Sequence, residues 1–361
     1  MIRQNRFETG FRQVNLATIL KAATSAHTCK NSFDFMVNNQ TKRNVFYYSL
    51  LMATLVPLIG LPMLSTISFP FDQSLLLGLA IFAGGVGHVG STACVYADKS
   101  VREVMKPMKL RFYVLPLSCL VITGIALIWG SALHVAQSMV AGLFIIHLCW
   151  LHFHYQRQNY GIVAFIAAST GQRVPRQMST ILLLPAAAGL LAIMPSLVRA
   201  AMENESLFIR QQNVMFMLAC GIYITGVVAA LWIAIRHREA FTEPRVATFT
   251  ILSFLFFAPP IALRNSEYAF WSYALAHGFQ YLLMVFTMAG GTGPSLNIIV
   301  AFIISVAGGG FLLHSLAGNQ ALFICGIILT WVHFVLDARL WRMSDPGARK
   351  LLRERFGFLF S

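Results

Sequence analysis

Long apolar runs separated by short polar connections make up most of this chain. A helix that crosses a membrane needs about 20 mostly apolar residues. Ten stretches qualify, roughly 45–67, 74–96, 111–133, 138–158, 179–199, 214–235, 246–263, 268–289, 297–317 and 320–341. The pattern predicts an all-α fold, a polytopic integral membrane helix bundle of about ten transmembrane helices over residues 45–342. Residues 162–170 are apolar but short; they extend the fourth span beyond a polar patch or form a re-entrant piece. Ahead of the bundle, residues 1–44 place Phe7, Phe11, Val14, Ile19, Leu20 and Ala23 near helical spacing among basic residues. That pattern suits a cytoplasmic or interfacial helix, with a disordered tail as the alternative, and a cleaved signal peptide is not expected. The tail 343–361 mixes Arg, Lys, Leu and Phe and reads as a second interfacial segment.

Composition agrees with the pattern. Of 361 residues, 57% are hydrophobic and only 11% charged, against about 25% charged in soluble domains. The net charge of +14 raises the question of a nucleic-acid partner, and its placement answers it. If the N-terminus is inside, all of the 27 Lys and Arg residues except Arg199, Arg210 and Arg264 fall on the inner side. This asymmetry sets orientation, so both termini are expected in the cytoplasm and, in a bacterium, the protein in the inner membrane. The positive charge then lies against anionic lipid headgroups; no nucleic acid is implied. Five of the six cysteines lie in apolar runs without CxxC spacing, which predicts buried thiols rather than disulfides.

Several chemistries lack their motifs. Gly290-Gly291-Thr292-Gly293-Pro294 does not end as a phosphate-binding loop does, and no nucleotide cofactor is indicated. HExxH, CxxCH and GxSxG are absent. Mid-membrane carboxylates of the kind that ion-coupled transporters use are missing as well, and no internal repeat stands out.

What remains is histidine. The stretch His147 to Gly161 carries three imidazoles, two glutamines and an asparagine at the end of an apolar run. Polar groups at membrane depth are costly and mark function. On the ten-span topology His88 lies about 12 Å from the inner surface at 1.5 Å per residue. His333 comes out at a similar depth and His277 somewhat deeper. His152 and His154 lie near the inner end of their span, with His147 deeper. His27, His134, His237 and His314 fall elsewhere. Imidazole is a common ligand for iron, copper and zinc, and a metal site inside a bundle takes its ligands from several helices. His333 and Asp337 share a helix face at i, i+4, so Asp337 is expected as a ligand or as the base that orients a ligand ring. His277 pairs with Gln280 at i, i+3, with Tyr281 beside it. His154 and Gln158, and His152 and Gln156, are i, i+4 pairs. Because His152 and His154 point about 200° apart on a helix, both reach one site only if the helix breaks. Asp98 is a further acid near the inner surface. Each of these histidines also has an ordinary reading as a polar contact between helices; the agreement of depths from four helices is what favours a metal.

These residues resemble, in short pieces, the polyhistidine integral-membrane oxygenases, the Brp/Blh-type β-carotene dioxygenases nearest in general plan. The matching elements are Gly87-His88 with Asp98 downstream, His277-Gly278, and His333 with Asp337. The resemblance implies non-haem iron held by histidines on several helices, O₂ as co-substrate and a lipophilic small-molecule substrate. The HxxxH and HxxHH boxes of membrane desaturases are absent. The expected ligands are His88, His277 and His333 with His152 or His154, while Gln158 and Asn159 line a substrate entrance. Two other readings stay open: a transporter or channel with a histidine-lined solute or proton site, and a haem-binding electron-transfer protein.

Overall fold

The computed structural model describes residues 16–64, 66, 73–119, 121, 124–125, 136–202, 211–264, 266–290, 303 and 320–361. Among them every regular element is helical. We number the principal helices α1 (Leu16–Leu64), α2 (Gln73–Ala80), α3 (His88–Ala97), α4 (Lys99–Met105), α5 (Ala136–Ser169), α6 (Leu183–Met202), α7 (Gln212–Arg236), α8 (Pro244–Leu255), α9 (Glu267–Gly290), α10 (Gln320–Leu340) and α11 (Pro346–Arg355). A widened, π-helical turn, Ile81–Gly87, joins α2 to α3.

Among the described residues, four stretches are long and apolar enough to cross a membrane: Asn38–Leu64, Leu77–Ala97, Met178–Arg199 and Gln212–Arg236. Their surfaces fit that role. On α7 the side chains of Met217, Ile224, Leu231, Trp232 and Ile235 each expose more than half of their area. A continuous apolar band of this kind is a liability in water and costs nothing against lipid tails.

Other runs take shapes that the hydropathy pattern leaves open. The helix α1 begins at Leu16, so the first apolar run continues one long helix instead of starting a new one. The fourth run and the short apolar segment 162–170 belong to one unbroken helix, α5, of 34 residues. The seventh run divides. The helix α8 stops at Leu255 and a short turn of helix resumes at Pro259–Ala262, because Pro259 and Pro260 carry no N–H with which to continue the ladder. The ninth run, 297–317, lies outside the described residues apart from Ile303. Cys119, Cys149 and Cys220 are free thiols, but Cys149 is exposed on the outside of α5. An apolar run has a lipid-facing side as well as a buried one, so apolar surroundings in sequence did not guarantee burial.

The centre of the bundle is α9, which packs along α1 and against the π-helical turn and α3. Tyr273, Leu275, Ala276, His277, Tyr281 and Val285 of α9 are all fully buried. At one end of the bundle α11 closes the structure. It buries Ala348, Leu351 and Leu352, keeps Arg349, Lys350 and Arg353 exposed, and is followed by the buried Phe356. Its start is fixed by Asp345, whose carboxylate accepts from the Gly347 and Ala348 N–H groups at 3.0 and 3.1 Å and meets Arg339 at 2.7 Å. Its end is tied to α4 by Arg355, which reaches Asp98 at 3.0 Å.

The Ala348 N–H bond, together with the Arg339 charge, holds the Asp345 carboxyl below its ordinary range. A depressed carboxyl pKa stabilises the fold above the unfolded value of about 3.9 and loses that effect as pH falls through the folded value. Asp345→Ala therefore removes a cap that contributes about 1 kcal/mol. Hydrogen exchange of residues 346–356 at neutral pH is expected to quicken severalfold in the variant, and in the wild type protection relative to the intrinsic exchange rate is expected to fall only below about pH 4.

Candidate metal centre

Four helices each deliver one imidazole to the same place. His88 opens α3 directly after the π-helical turn, His154 lies on α5, His277 on α9 and His333 on α10; all four are buried. Their rings form a closed circuit. Centroids are 5.1 Å apart for His88–His277 and for His88–His333, 4.9 Å for His154–His277 and 5.2 Å for His154–His333. Planes meet nearly edge to face throughout, so the rings do not stack on one another. Asp337, one turn beyond His333 on α10, adds a carboxylate whose Oδ2 lies 3.5 Å from His154 Nε2.

Local structure fixes which nitrogen each ring offers. In the widened turn the Gly84 carbonyl lies 2.6 Å from His88 Nδ1. A carbonyl only accepts, so Nδ1 carries the proton and Nε2 of the neutral ring is a bare lone pair. His333 Nδ1 is engaged by the Thr92 hydroxyl at 3.0 Å, again leaving Nε2. Aromatic walls hold the other two rings. Phe334 stacks on His154 at 4.1 Å and Tyr155 lies over His277 at the same distance. Tyr281 meets His333 edge-on at 4.4 Å.

The inward atoms have no hydrogen-bond partner in the protein: Nε2 of His88, His154 and His333, both ring nitrogens of His277, and Oδ1 of Asp337. Candidate donor atoms of His88, His277 and His333 lie within 4.8 Å of one another, and so do those of His154, His333 and Asp337. Two imidazole nitrogens bound to one ion at about 2.0–2.1 Å lie at most about 4.2 Å apart. Donor atoms held within 4.8 Å of one another need at most small χ adjustments to reach that spacing.

The other sequence candidates take different places. The helix α5 does not break, so His152 faces away from the circuit. Its Nδ1 is held by the Leu148 carbonyl at 2.8 Å and its Nε2 by the Tyr273 hydroxyl at 2.9 Å. Both nitrogens are thus satisfied, and His152 is not placed to ligate with the other four. His147 accepts from Trp331 at 3.2 Å, about two turns along α5 from His154. Asp98 is also corrected: it caps α4 through Ser100 N–H at 2.7 Å and pairs with Arg355, a joint between helices and not a partner of a ligand.

The amides divide too. Asn159 is buried and does not line an entrance: it donates to Gln156, which donates to the Ser253 carbonyl at 3.0 Å. Gln280 donates to Thr54 at 2.9 Å, and Gln158 donates both to Gln280 at 3.1 Å and to the His277 carbonyl at 3.2 Å. This chain ties α1, α5, α8 and α9 together beside the circuit. Gln158 alone of these amides reaches a cavity of about 800 Å³, which His154, Asp337 and Tyr281 also line.

Sequence reasoning missed Thr92, the Gly84 carbonyl and Tyr155. Thr92 had a signal, since it stands one turn from His88 on one face; the other two depend on how the helices dock.

Comparison with family models, with curated proteins and with solved structures finds no match for this chain.

Gly278 controls that docking. A Cβ there would lie 1.7 Å from the Gly84 oxygen and 3.0 Å from His88 Nδ1. Gly278→Ala must push the π-helical turn off α9, a clash at or beyond the upper end of the roughly 1–3 kcal/mol typical of overpacking. Thermal melting in detergent is expected to fall by several degrees. Gly161→Ala on α5, with nothing within 4 Å, should match or exceed the wild type.

Proposed function

We propose that this chain is an integral membrane metalloenzyme, a non-haem iron oxygenase that acts on a lipophilic substrate with O₂. In this reading it spans a bilayer about ten times with both termini on the cytoplasmic side, in the inner membrane if the source is bacterial. The observation that carries the reading is a set of unpartnered buried atoms, one ring nitrogen from each of the four histidines and Oδ1 of Asp337. Each unmet buried polar atom costs about 1–3 kcal/mol. These five together would cost about 5–15 kcal/mol, as much as the whole stability of a typical domain. A bound cation would answer all five at once.

The donor set points to one ion. Both groups of candidate ligands contain His333, and its Nδ1 is committed to Thr92. Only Nε2 remains to bind an ion, and one lone pair binds one ion, so in this reading the two groups serve a single metal held among His88, His154, His277 and His333. Asp337 is placed to complete the charge or to accept a proton. Nitrogen and carboxylate donors suit iron, with copper and zinc as competitors. Bound iron would supply the redox chemistry that activates O₂; the chain supplies the rest. Gly84 fixes the His88 ring in tautomer and direction and Thr92 holds the His333 ring in direction, as partners outside the ligand set do at metal sites. Phe334 and Tyr155 keep water from the ring faces. The cavity beside His154 and Asp337 gives an apolar substrate a place next to the ligands.

Metal analysis by mass spectrometry on detergent-purified protein tests this, with an absorption spectrum of the same sample. About one iron per chain without a Soret band is expected. His88→Ala, His154→Ala, His277→Ala and His333→Ala should each lose most of it, and His237→Ala should not. Metal content equal in all five variants, or none in the wild type after iron-replete expression, would overturn the proposal.

A further inference from the structure

The cavity that reaches His154 and Asp337 is not uniform along its length. Its deep end holds those two buried groups, and its walls are largely aromatic and aliphatic, including Phe153, Phe165, Met284 and Trp341. Its exposed rim carries three arginines, Arg157, Arg176 and Arg342. None of the three makes an ion pair among the described residues. By contrast Arg339, on the same stretch of chain, is committed to Asp345. Arg157 lies with its guanidinium 5.0 Å from the Phe153 ring, which holds it at the rim with its donors available. Among the described residues, the only carboxylate in the lining is Asp337.

We infer that this cavity binds a long-chain amphiphile with an anionic head, a carboxylate or a phosphate, whose head is held by Arg157, Arg176 and Arg342. Three arguments converge. The volume of about 800 Å³ falls in the range of roughly 300–1,000 Å³ at which pockets enclose whole small molecules. Arginine presents forked donors that match carboxylate and phosphate oxygens. Asp337 at the closed end opposes an anionic head there, so the charge gradient sets direction: head at the rim, chain along the apolar wall beside His154. A neutral hydrocarbon would use the walls and ignore the arginines. The role of this amphiphile as substrate rests on the metal-centre reading above; its binding does not.

The test is displacement of a fluorescent long-chain carboxylate from the purified full-length protein in a neutral detergent. The competitors are palmitate, hexadecyl phosphate and hexadecanol. Palmitate and hexadecyl phosphate should each compete at least about tenfold better than hexadecanol, as expected for charge-assisted hydrogen bonds. A preference for palmitate assigns the site to free fatty carboxylates, and a preference for the phosphate assigns it to phosphorylated lipids. Arg157→Gln and Arg342→Gln should each weaken the anionic competitors about tenfold. Arg157→Lys should retain most of the affinity, and Arg236→Gln, on the outer face of α7, all of it. Retention by Arg157→Lys separates loss of charge from loss of folding. Hexadecanol competing as well as palmitate, or unchanged affinity in both Gln variants, would overturn the inference. The same assay on His277→Ala separates the two claims. Binding kept there despite lost metal supports the cavity independently, whereas a metal-loaded wild type indifferent to head charge sinks the amphiphile and leaves the metal centre standing.

Discussion

Burying an imidazole among apolar helices is costly unless its nitrogens are met, and most features of this bundle follow from meeting some and leaving others. His152 is fully met, between Leu148 and Tyr273, and acts as a fastener between α5 and α9. His88 and His333 are half met, each with one nitrogen turned to the protein and one turned inward. Gln156, Asn159, Gln280, Gln158 and Thr54 bond one another in a chain that crosses four helices. Against this background, the circuit gathers the largest group of unpartnered buried side-chain atoms among the described residues.

Backbone shape makes that concentration achievable. The π-helical turn before His88 turns the Gly84 carbonyl onto the imidazole, and Gly278, without a side chain, lets α9 lie against that carbonyl. Widened turns of this kind are rare and recur at functional sites. The same contact brings His277, adjacent to Gly278, within 5.1 Å of His88. Two glycines, a π-helical turn and two of the four histidines are thus one structural unit, with α5 and α10 completing the circuit from the other side.

Much of this was legible in the sequence. Depth counted from the inner ends of the apolar runs placed His88, His277 and His333 together, and the i, i+4 spacing put Asp337 beside His333. The choice between His152 and His154 was not legible, because it depends on whether α5 breaks at Gln156–Gly161; the helix continues, and one face wins. Asp98 looked like a site acid because depth gives height in the bilayer but not position around the bundle. Only the docking of α11 through Arg355 shows that its partner lies elsewhere. Span boundaries were limited in the same way. Hydropathy cannot tell a helix that ends with its apolar run from one that continues beyond it, as α1 and α5 do, or from one that Pro259 and Pro260 interrupt.

The account stands on four imidazoles converging on one ion, and X-ray absorption spectroscopy of the metal-loaded protein tests that most directly. The extended fine structure should show a first shell of nitrogen and oxygen only, at about 2.0–2.2 Å, with the outer-shell scattering of about four imidazole rings and reduced imidazole scattering in His154→Ala. A first shell containing sulfur, or an oxygen-only shell without imidazole scattering, would contradict the account and return the four histidines to the role that His152 plays.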